Sequence, residues 1–525
     1  MRIDIYGSLE ASLSSYDGLS RLLKGQFWLG GETVYYEPRV ATSTKIDMRI
    51  PAGGYVARTV IEGTGLELGD PTRLIGGSVT SIKFFEGNKR LVAEFSDFDW
   101  DGKSLGDAAT RATPGGGSSL TELRDLVFAE PLVFDASKSY HAMDIRMPGA
   151  VVPSTIVATE GSDFVYGAEA GDTIYGGSGQ DYLHGLDGDD TINGGPGADF
   201  FYGGDGADHL IGGGAPLGRH DFAVYTGYTM SLSIIDLREP SRNTGPAAGD
   251  TYHGITGVIG TNGPTELHGN GQDNHLDGLS DDDEIFGYGG DDYLHADTAA
   301  TLRLVGGPGD DWLSTYNARY AILNGGAGND TAAFSHPHAT LQGQHADLTR
   351  TQTDTRDSVE TLVLIGIENL IGTRYADDLR GDEGANQLEG LRGRDLLIGR
   401  SGADVLIGGD GKDRLRGGEG NDVLEGGKRP DRLEGGAGRD LLTGGEGGDV
   451  FIFGGSGSDG HRDRDIITDF EAVADRLLLV DRSVVSVRET DTGVRLLLDG
   501  ADGDAVDVLD WTKMQIDALG EALFV

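Results

Sequence analysis

Large apolar residues recur at every ninth position over a long stretch of this chain. Between Gly372 and Phe453 they are Leu379, Leu388, Leu397, Leu406, Leu415, Leu424, Leu433, Leu442 and Phe451. With 37% apolar residues overall, nine such hits in a row would arise by chance about once in ten thousand. In register from Gly399 the chain reads GRSGADVLI, GGDGKDRLR, GGEGNDVLE, GGKRPDRLE, GGAGRDLLT and GGEGGDVFI, so the unit is Gly-Gly-x-Gly-x-Asp-x-U-x with U large and apolar. The segment x-U-x supplies a three-residue strand whose middle side chain points to one face. The other six residues must turn the chain, and glycines at positions 1, 2 and 4 permit the positive φ and close backbone approach that this needs. Two nonapeptides complete one coil, which predicts a parallel β-roll in which residues eighteen apart stack. A Gly/Asp-rich linker would share the composition but show no fixed apolar period.

Two further blocks precede this one. The first, at 156–214, holds GGSGQDYLH, GLDGDDTIN, GGPGADFFY and GGDGADHLI from Gly176, after two weaker copies. The second, at 260–334, has GYGGDDYLH, GGPGDDWLS and GGAGNDTAA as its best copies, while GLSDDDEIF carries Asp281 in place of the position-4 glycine. The inserts at 215–259 and 335–371 align with each other at an offset of 112, Ile255 on Ile367 and, just beyond, Gly278 on Gly390. Leu232, Ile234 and Leu237 suggest that each insert is a short β-hairpin. Residues 1–155 instead alternate apolar and polar positions in TVYYEPRV, KIDMRIP, SVTSIKFFE and RLVAEFSDF, which reads as a β-sandwich-like domain with one helix at Leu120 to Phe128. The third block spans 372–455. The tail, 456–525, holds the hairpin VVSVRETDTGVRLLLD and predicts a C-terminal β cap. The fold class expected is all-β.

The turns carry the chemistry. Their carbonyl oxygens and the position-6 carboxylate form an oxygen-only donor set that suits a hard cation with six to eight ligands, calcium before magnesium. The candidate acids are Asp163, Asp172, Asp181, Asp190, Asp199 and Asp208 in the first block, and Asp292, Asp311 and Asp330 in the second. In the third they are Asp395, Asp404, Asp413, Asp422, Asp440 and Asp449. The candidate turn glycines are Gly177, Gly179, Gly195, Gly197, Gly204, Gly206, Gly409, Gly411, Gly418, Gly420, Gly436 and Gly438. Asp404, Asp422 and Asp440 should line one edge, and Asp395, Asp413, Asp431 and Asp449 the other. Arg429 and Pro430 make the Asp431 turn doubtful, and Asn386 replaces the aspartate in its own repeat.

Composition agrees with that chemistry. The 525 residues include 86 acidic against 42 basic side chains, a formal net charge of −44, and 88 glycines. Such a charge repels nucleic acid and anionic membrane and strains a compact state unless cations neutralise it. The repeats should therefore be disordered without metal, and metal binding should be largely folding free energy. There is no cysteine, no cleavable Sec signal in MRIDIYGSLEASLSS, and no apolar run long enough to span a membrane.

The three blocks resemble the repeats-in-toxin (RTX) arrays of Gram-negative secreted proteins, with the segment from Asp465 through Phe470 to Asp475 similar to the one that closes such arrays. The resemblance implies multiple bound Ca²⁺ ions, passage out of the cell unfolded, and folding outside. Glu521 followed by Ala-Leu-Phe-Val525 is similar to an uncleaved signal read by a type I secretion apparatus, which implies a secreted, extracellular or cell-surface protein.

Enzymatic motifs are sparse. No His is followed by Glu, which removes H-E-x-x-H, and no G-x-S-x-G elbow occurs. Asp97, Asp99, Asp101 and Gly102 open like a calcium loop, but Ala108 stands where the bidentate Glu belongs, so an acidic hairpin turn is the alternative. His141, Asp144 and Arg146, and the pair His336 and His338, read as polar strand and loop residues rather than sites. Two readings stay open: a non-enzymatic calcium-binding protein whose N-terminal domain binds extracellular polysaccharide, a cell surface or another copy of itself, and an enzyme acting on extracellular polymer with its site in 1–155.

Overall fold

In the computed structural model the chain is described from residue 152 to 519, apart from short loop stretches, and before that at residues 132–137, 144–146 and the backbone of the N-terminal strands. It separates into two compact units, residues 1–227 with 233–259, and 228–232 with 260–525. Side chains of Asp97, Asp99, Asp101, His141, Asp144, Arg146, His336 and His338, the expected helix at 120–128, and the segment 521–525 lie outside the described residues.

The ninefold apolar period becomes a buried column. In the first unit Ile156, Val165, Ile174, Leu183, Ile192, Phe201 and Leu210 are all fully buried. In the second the same holds for Leu370, Leu379, Leu388, Leu397, Leu406, Leu424, Leu433, Leu442 and Phe451. Residues eighteen apart pair in parallel, Val165 with Leu183 and Leu183 with Phe201 in one sheet, Ile174 with Ile192 in the other. Successive nonapeptides thus feed two facing parallel sheets whose inward side chains meet. Each fully buried Leu or Ile contributes on the order of 2 kcal/mol. In-register stacking also lays like on like outside: Phe164, Tyr182 and Phe200 stack at 4.7 and 4.8 Å, and Tyr166, His184 and Tyr202 at 4.3 and 4.0 Å.

The N-terminal strands run as one antiparallel meander, Glu37–Thr42, Lys45–Ala52, Tyr55–Gly69, Arg73–Glu86 and Arg90–Ser96. Arg2–Ile5 then pairs antiparallel with Arg90–Ser96 and parallel with Leu132–Asp135, which leads into the coils through Ser154–Val157. Trp100–Asp101 also pairs antiparallel with Arg73–Glu86, Phe27–Leu29 forms a separate ribbon with Glu32–Val34, and Asp144–Arg146 pairs parallel with Phe164–Tyr166.

The first insert departs from the hairpin expected of it. Phe222–Val224 pairs parallel with Gly257–Ile259, and His209–Ile211 parallel with Thr251–His253, so both returning strands continue the coils. Between them Ser233–Asp236 and two 3-10 turns, Pro240–Arg242 and Gly245–Ala247, gather around Asp236, which accepts the N–H groups of Arg238 and Glu239 and the guanidinium of Arg242. Its inward residues are Ile235 and Leu237, whereas Leu232 is half exposed. Polar satisfaction of the loop around one carboxylate decided the path, not a two-residue alternation. In the second insert Thr353–Asp354 does pair antiparallel with Thr361–Ile365.

The tail caps the second unit as expected. Arg464–Ile467 and Arg476–Val480 pair parallel with the last coil strands, Leu441–Glu446 and Val450–Gly454. The hairpin Val484–Glu489 with Gly493–Leu498 follows, then Ala505–Leu509 and the helix Lys513–Leu519. Trp511 donates its indole N–H to the Phe470 carbonyl at 2.8 Å and packs edge-on to that ring, which closes the open end of the column.

Candidate metal sites

The aspartate at position 6 ends each turn and starts the next strand, so the parallel register brings successive aspartates of one edge into contact. Each donates its main-chain N–H to Oδ1 of the aspartate one coil later. The steps Asp163 to Asp181 and Asp181 to Asp199 measure 2.8 and 2.9 Å, and Asp172 to Asp190 and Asp190 to Asp208 measure 2.6 and 2.9 Å. Asp395, Asp413, Asp431 and Asp449 form one such file in the second unit, and Asp404, Asp422 and Asp440 belong to another, continuing the series Asp292, Asp311, Asp330. All of these acids are buried.

The files also take in acids that periodicity does not reach. Asp199 donates to Asp221, Asp208 to Asp250, Asp440 to Asp465 and Asp449 to Asp475, at separations of 22, 42, 25 and 26 residues. Only the pattern Asp-x-U-x without its glycines, as in Asp221-Phe-Ala-Val or Asp475-Arg-Leu-Leu, marks them in the sequence.

Oδ1 is thus engaged by the fold, and Oδ2 is left over. Among the described residues, Oδ2 of Asp181, Asp190, Asp199, Asp208, Asp292, Asp311, Asp330, Asp395, Asp404, Asp413, Asp422, Asp431 and Asp449 is buried with no hydrogen-bond partner. An unpaired buried carboxylate oxygen is strongly unfavourable, so its recurrence points to a cation. The position-1 glycine shows what surrounds it. A Cβ on Gly176 would lie 2.5 Å from Asp181 Oδ2 and 2.7 Å from the Gly194 carbonyl oxygen, and one on Gly417 would lie 2.1 Å from Asp422 Oδ2 and 2.6 Å from the Gly435 oxygen. Carboxylate and carbonyl oxygens therefore converge where any side chain would intrude. Among the described residues no three or more His, Cys, Asp or Glu side chains are placed to hold a metal ion by themselves. Each turn offers one carboxylate and several main-chain oxygens, a donor set that fits a hard, many-coordinate ion and not a soft one.

Individual repeats differ. Arg429 takes φ 76° at the position where glycine is usual, and the Asp431 turn keeps the same geometry as its neighbours, contrary to the doubt its Arg429 and Pro430 raise. Asn386 accepts the Asp382 N–H at its Oδ1 and donates Nδ2 to the Glu368 carbonyl, so its amide is satisfied by the chain. Asp163 and Asp172 differ too: Oδ2 of the first accepts the Thr159 N–H and hydroxyl, that of the second the Ala168 N–H. Asp250 has its Oδ2 held by the buried Tyr225 hydroxyl at 2.6 Å, so a protein donor stands in for an ion where the first unit's file ends.

Burial pushes the carboxyl of Asp181 up to about 7 and those of Asp190, Asp292, Asp395 and Asp431 up to about 8, and neighbours in the same file add to the rise. In the unfolded chain these groups titrate near 4. Without metal the folded state therefore holds extra protons between about pH 4 and pH 8 and loses stability as pH rises through that window. Calcium-free protein should accordingly show more β-structure by circular dichroism at pH 4.5 than at pH 8, while calcium affinity falls on acidification because protons compete for Oδ2. A calcium-free protein that melts no lower at pH 8 than at pH 4.5 would contradict this.

Comparison with known proteins bears on the same turns. The family model described as the RTX calcium-binding nonapeptide repeat matches residues 155–183, 184–215, 259–298, 365–397, 389–424, 416–451 and 425–460. No curated protein matches the chain. Among solved structures, the extracellular lipase of Serratia marcescens aligns at 13% identity over 90% of this chain and 80% of its own, with a TM-score of 0.16, too low to bear on topology or activity.

Proposed function

We propose that this chain, an RTX-type protein whose repeats bind several calcium ions, is secreted and completes its fold on meeting calcium outside the cell. The observation that supports this most directly is the set of buried aspartates with an unpartnered Oδ2. In such a turn calcium supplies the positive charge that lets both carboxylate oxygens stay ionised in the interior. The protein's part is to aim Oδ2 and the turn carbonyls at one point, to hold Oδ1 through the next amide, and to exclude water with the U column beneath. Native mass spectrometry of the full chain in calcium should show multiple bound ions. A chain that carries none would sink the reading.

The division into an N-terminal segment 1–155, roll blocks 156–214, 260–334 and 372–455, inserts 215–259 and 335–371, and a tail 456–525 gives each part a task. The N-terminal segment is assigned adhesion to a surface polysaccharide or self-association, and among the described strands its meander ends on Glu37–Thr42, an edge able to accept a further strand. The tail is assigned the type I export address besides its role as cap. Deleting roughly the last fifty residues should then retain the protein in the producing cell, and fusing them to an inert passenger should export it where a type I apparatus is present. Secretion of the truncated chain at the unaltered level would leave the tail only as a cap.

A further inference from the structure

The turns look alike in sequence, yet the acid at position 6 meets two different backbones. In one kind the residue four before the aspartate has positive φ, and its N–H runs on to the next coil. Gly177 donates to the Gly194 oxygen at 3.0 Å, Gly195 to the Gly212 oxygen at 2.9 Å and Tyr288 to the Gly306 oxygen at 2.8 Å. Their φ values are 109°, 92° and 81°, and Oδ2 of Asp181, Asp199 and Asp292 is left open. The same conformation is held even where the residue is not glycine, Leu186 at 84°, Leu391 at 68° and Arg400 at 87°, before the open acids Asp190, Asp395 and Asp404. A bulky residue in that region costs on the order of 1 kcal/mol or more, so the open turn is imposed by the coil and not by local preference.

In the other kind the peptide faces the opposite way. Thr159, Ala168, Thr373 and Glu471 turn their N–H onto Oδ2 of Asp163, Asp172, Asp377 and Asp475, at 2.8, 2.5, 2.7 and 2.7 Å. Asn270 and Asp382 do the same for Oδ1 of Asn274 and Asn386, at 2.7 and 2.8 Å. None of these six donors has positive φ. An amide hydrogen aimed at the inner oxygen takes up one of its lone pairs and places a positive dipole where a cation would sit. The closed turns are not scattered. Asp163 and Asp172 open the first block, Asn274 the second, Asp377 and Asn386 the third, and Asp475 ends the last file.

We propose that calcium is confined to the open turns, and that the closed turns, Asp163, Asp172, Asp377 and Asp475 among them, are metal-free seats on which each run of calcium turns begins or ends. The assignment rests on the calcium-binding reading above and divides its acids by backbone direction, which the nonapeptide pattern does not reveal. Asparagine serves naturally at two closed turns, where its amide oxygen accepts the same turn N–H. In the full chain Asp172→Asn and Asp377→Asn should keep the number of bound ions seen by native mass spectrometry in the unsubstituted protein. Asp190→Asn and Asp404→Asn should each lose at least one. Asn386→Asp restores the motif acid in GDEGANQLE yet should add no ion, because the Asp382 N–H still covers the inner oxygen. Loss of an ion from Asp172→Asn or Asp377→Asn, or gain of one in Asn386→Asp, would overturn the assignment while leaving calcium binding intact. Absence of bound calcium from every form would overturn both.

Discussion

Withdrawal of calcium at neutral pH should abolish most of the β-structure of the repeats. Without an ion, files such as Asp395, Asp413, Asp431 and Asp449 leave a buried Oδ2 without a donor at every step, with the neighbouring carboxylates of the file close enough to repel. The coils have little to set against that. Each contributes two inward apolar side chains, the turns are rich in glycine, and the chain as a whole carries a net charge of −44. Ordering so flexible a backbone costs about 1 to 2 kcal/mol per residue, which a two-residue core per coil does not offset. Circular dichroism with chelator at pH 7.5 should lose its β signal, scattering should report expansion, and millimolar calcium should restore both. A compact, fully β-structured repeat fragment in chelator at that pH would refute the account.

The second large effect should come from a single methyl group. A Cβ on Gly420 would lie 1.5 Å from the Gly402 carbonyl oxygen at φ 137°, and one on Gly418 would lie 1.8 Å from the Arg400 oxygen at φ 125°. Both obstacles are backbone in the adjoining coil and cannot swing aside. Gly420→Ala should therefore cost roughly 3 kcal/mol or more, against the few tenths usual for an exposed glycine exchange. Because repeat arrays unfold by segments, the cost should show as a lower melting temperature in saturating calcium together with faster hydrogen exchange around residues 400–440. Gly271→Ala is the control, with no atom within 4 Å of its added Cβ. Equal melting temperatures for the two variants would mean that turn contact does not limit the stack.

Much of the architecture was legible because one constraint repeats. An apolar residue every ninth position can be buried only if the chain closes a coil every eighteen, which brings Leu406 over Leu424 and Leu442, and Asp404 into one file with Asp422. The offset of 112 was equally informative: Ile255 and Ile367 are both buried, each just ahead of a strand that rejoins a coil. Legibility fails where the period breaks. The sequence alone placed no acid after Asp208 in its file, yet 42 residues later Asp250 occupies that step with its Oδ2 on Tyr225. Nor did it predict that Arg429 would take a glycine's conformation, or that Asp172 and Asp190, alike in the motif, would face an amide and an open turn respectively.

The sequence by itself determined the all-β coil, its register, the residues in its core and the kind of ion its turns would suit, since each follows from the spacing of side chains along one strand-and-turn unit. Only the tertiary structure decided which acids end up with a free oxygen. That depends on the direction of one peptide group, which is set by whether its N–H finds a carbonyl in the next coil or turns back on the aspartate of its own repeat, a choice that the adjoining coil decides and the repeat by itself does not.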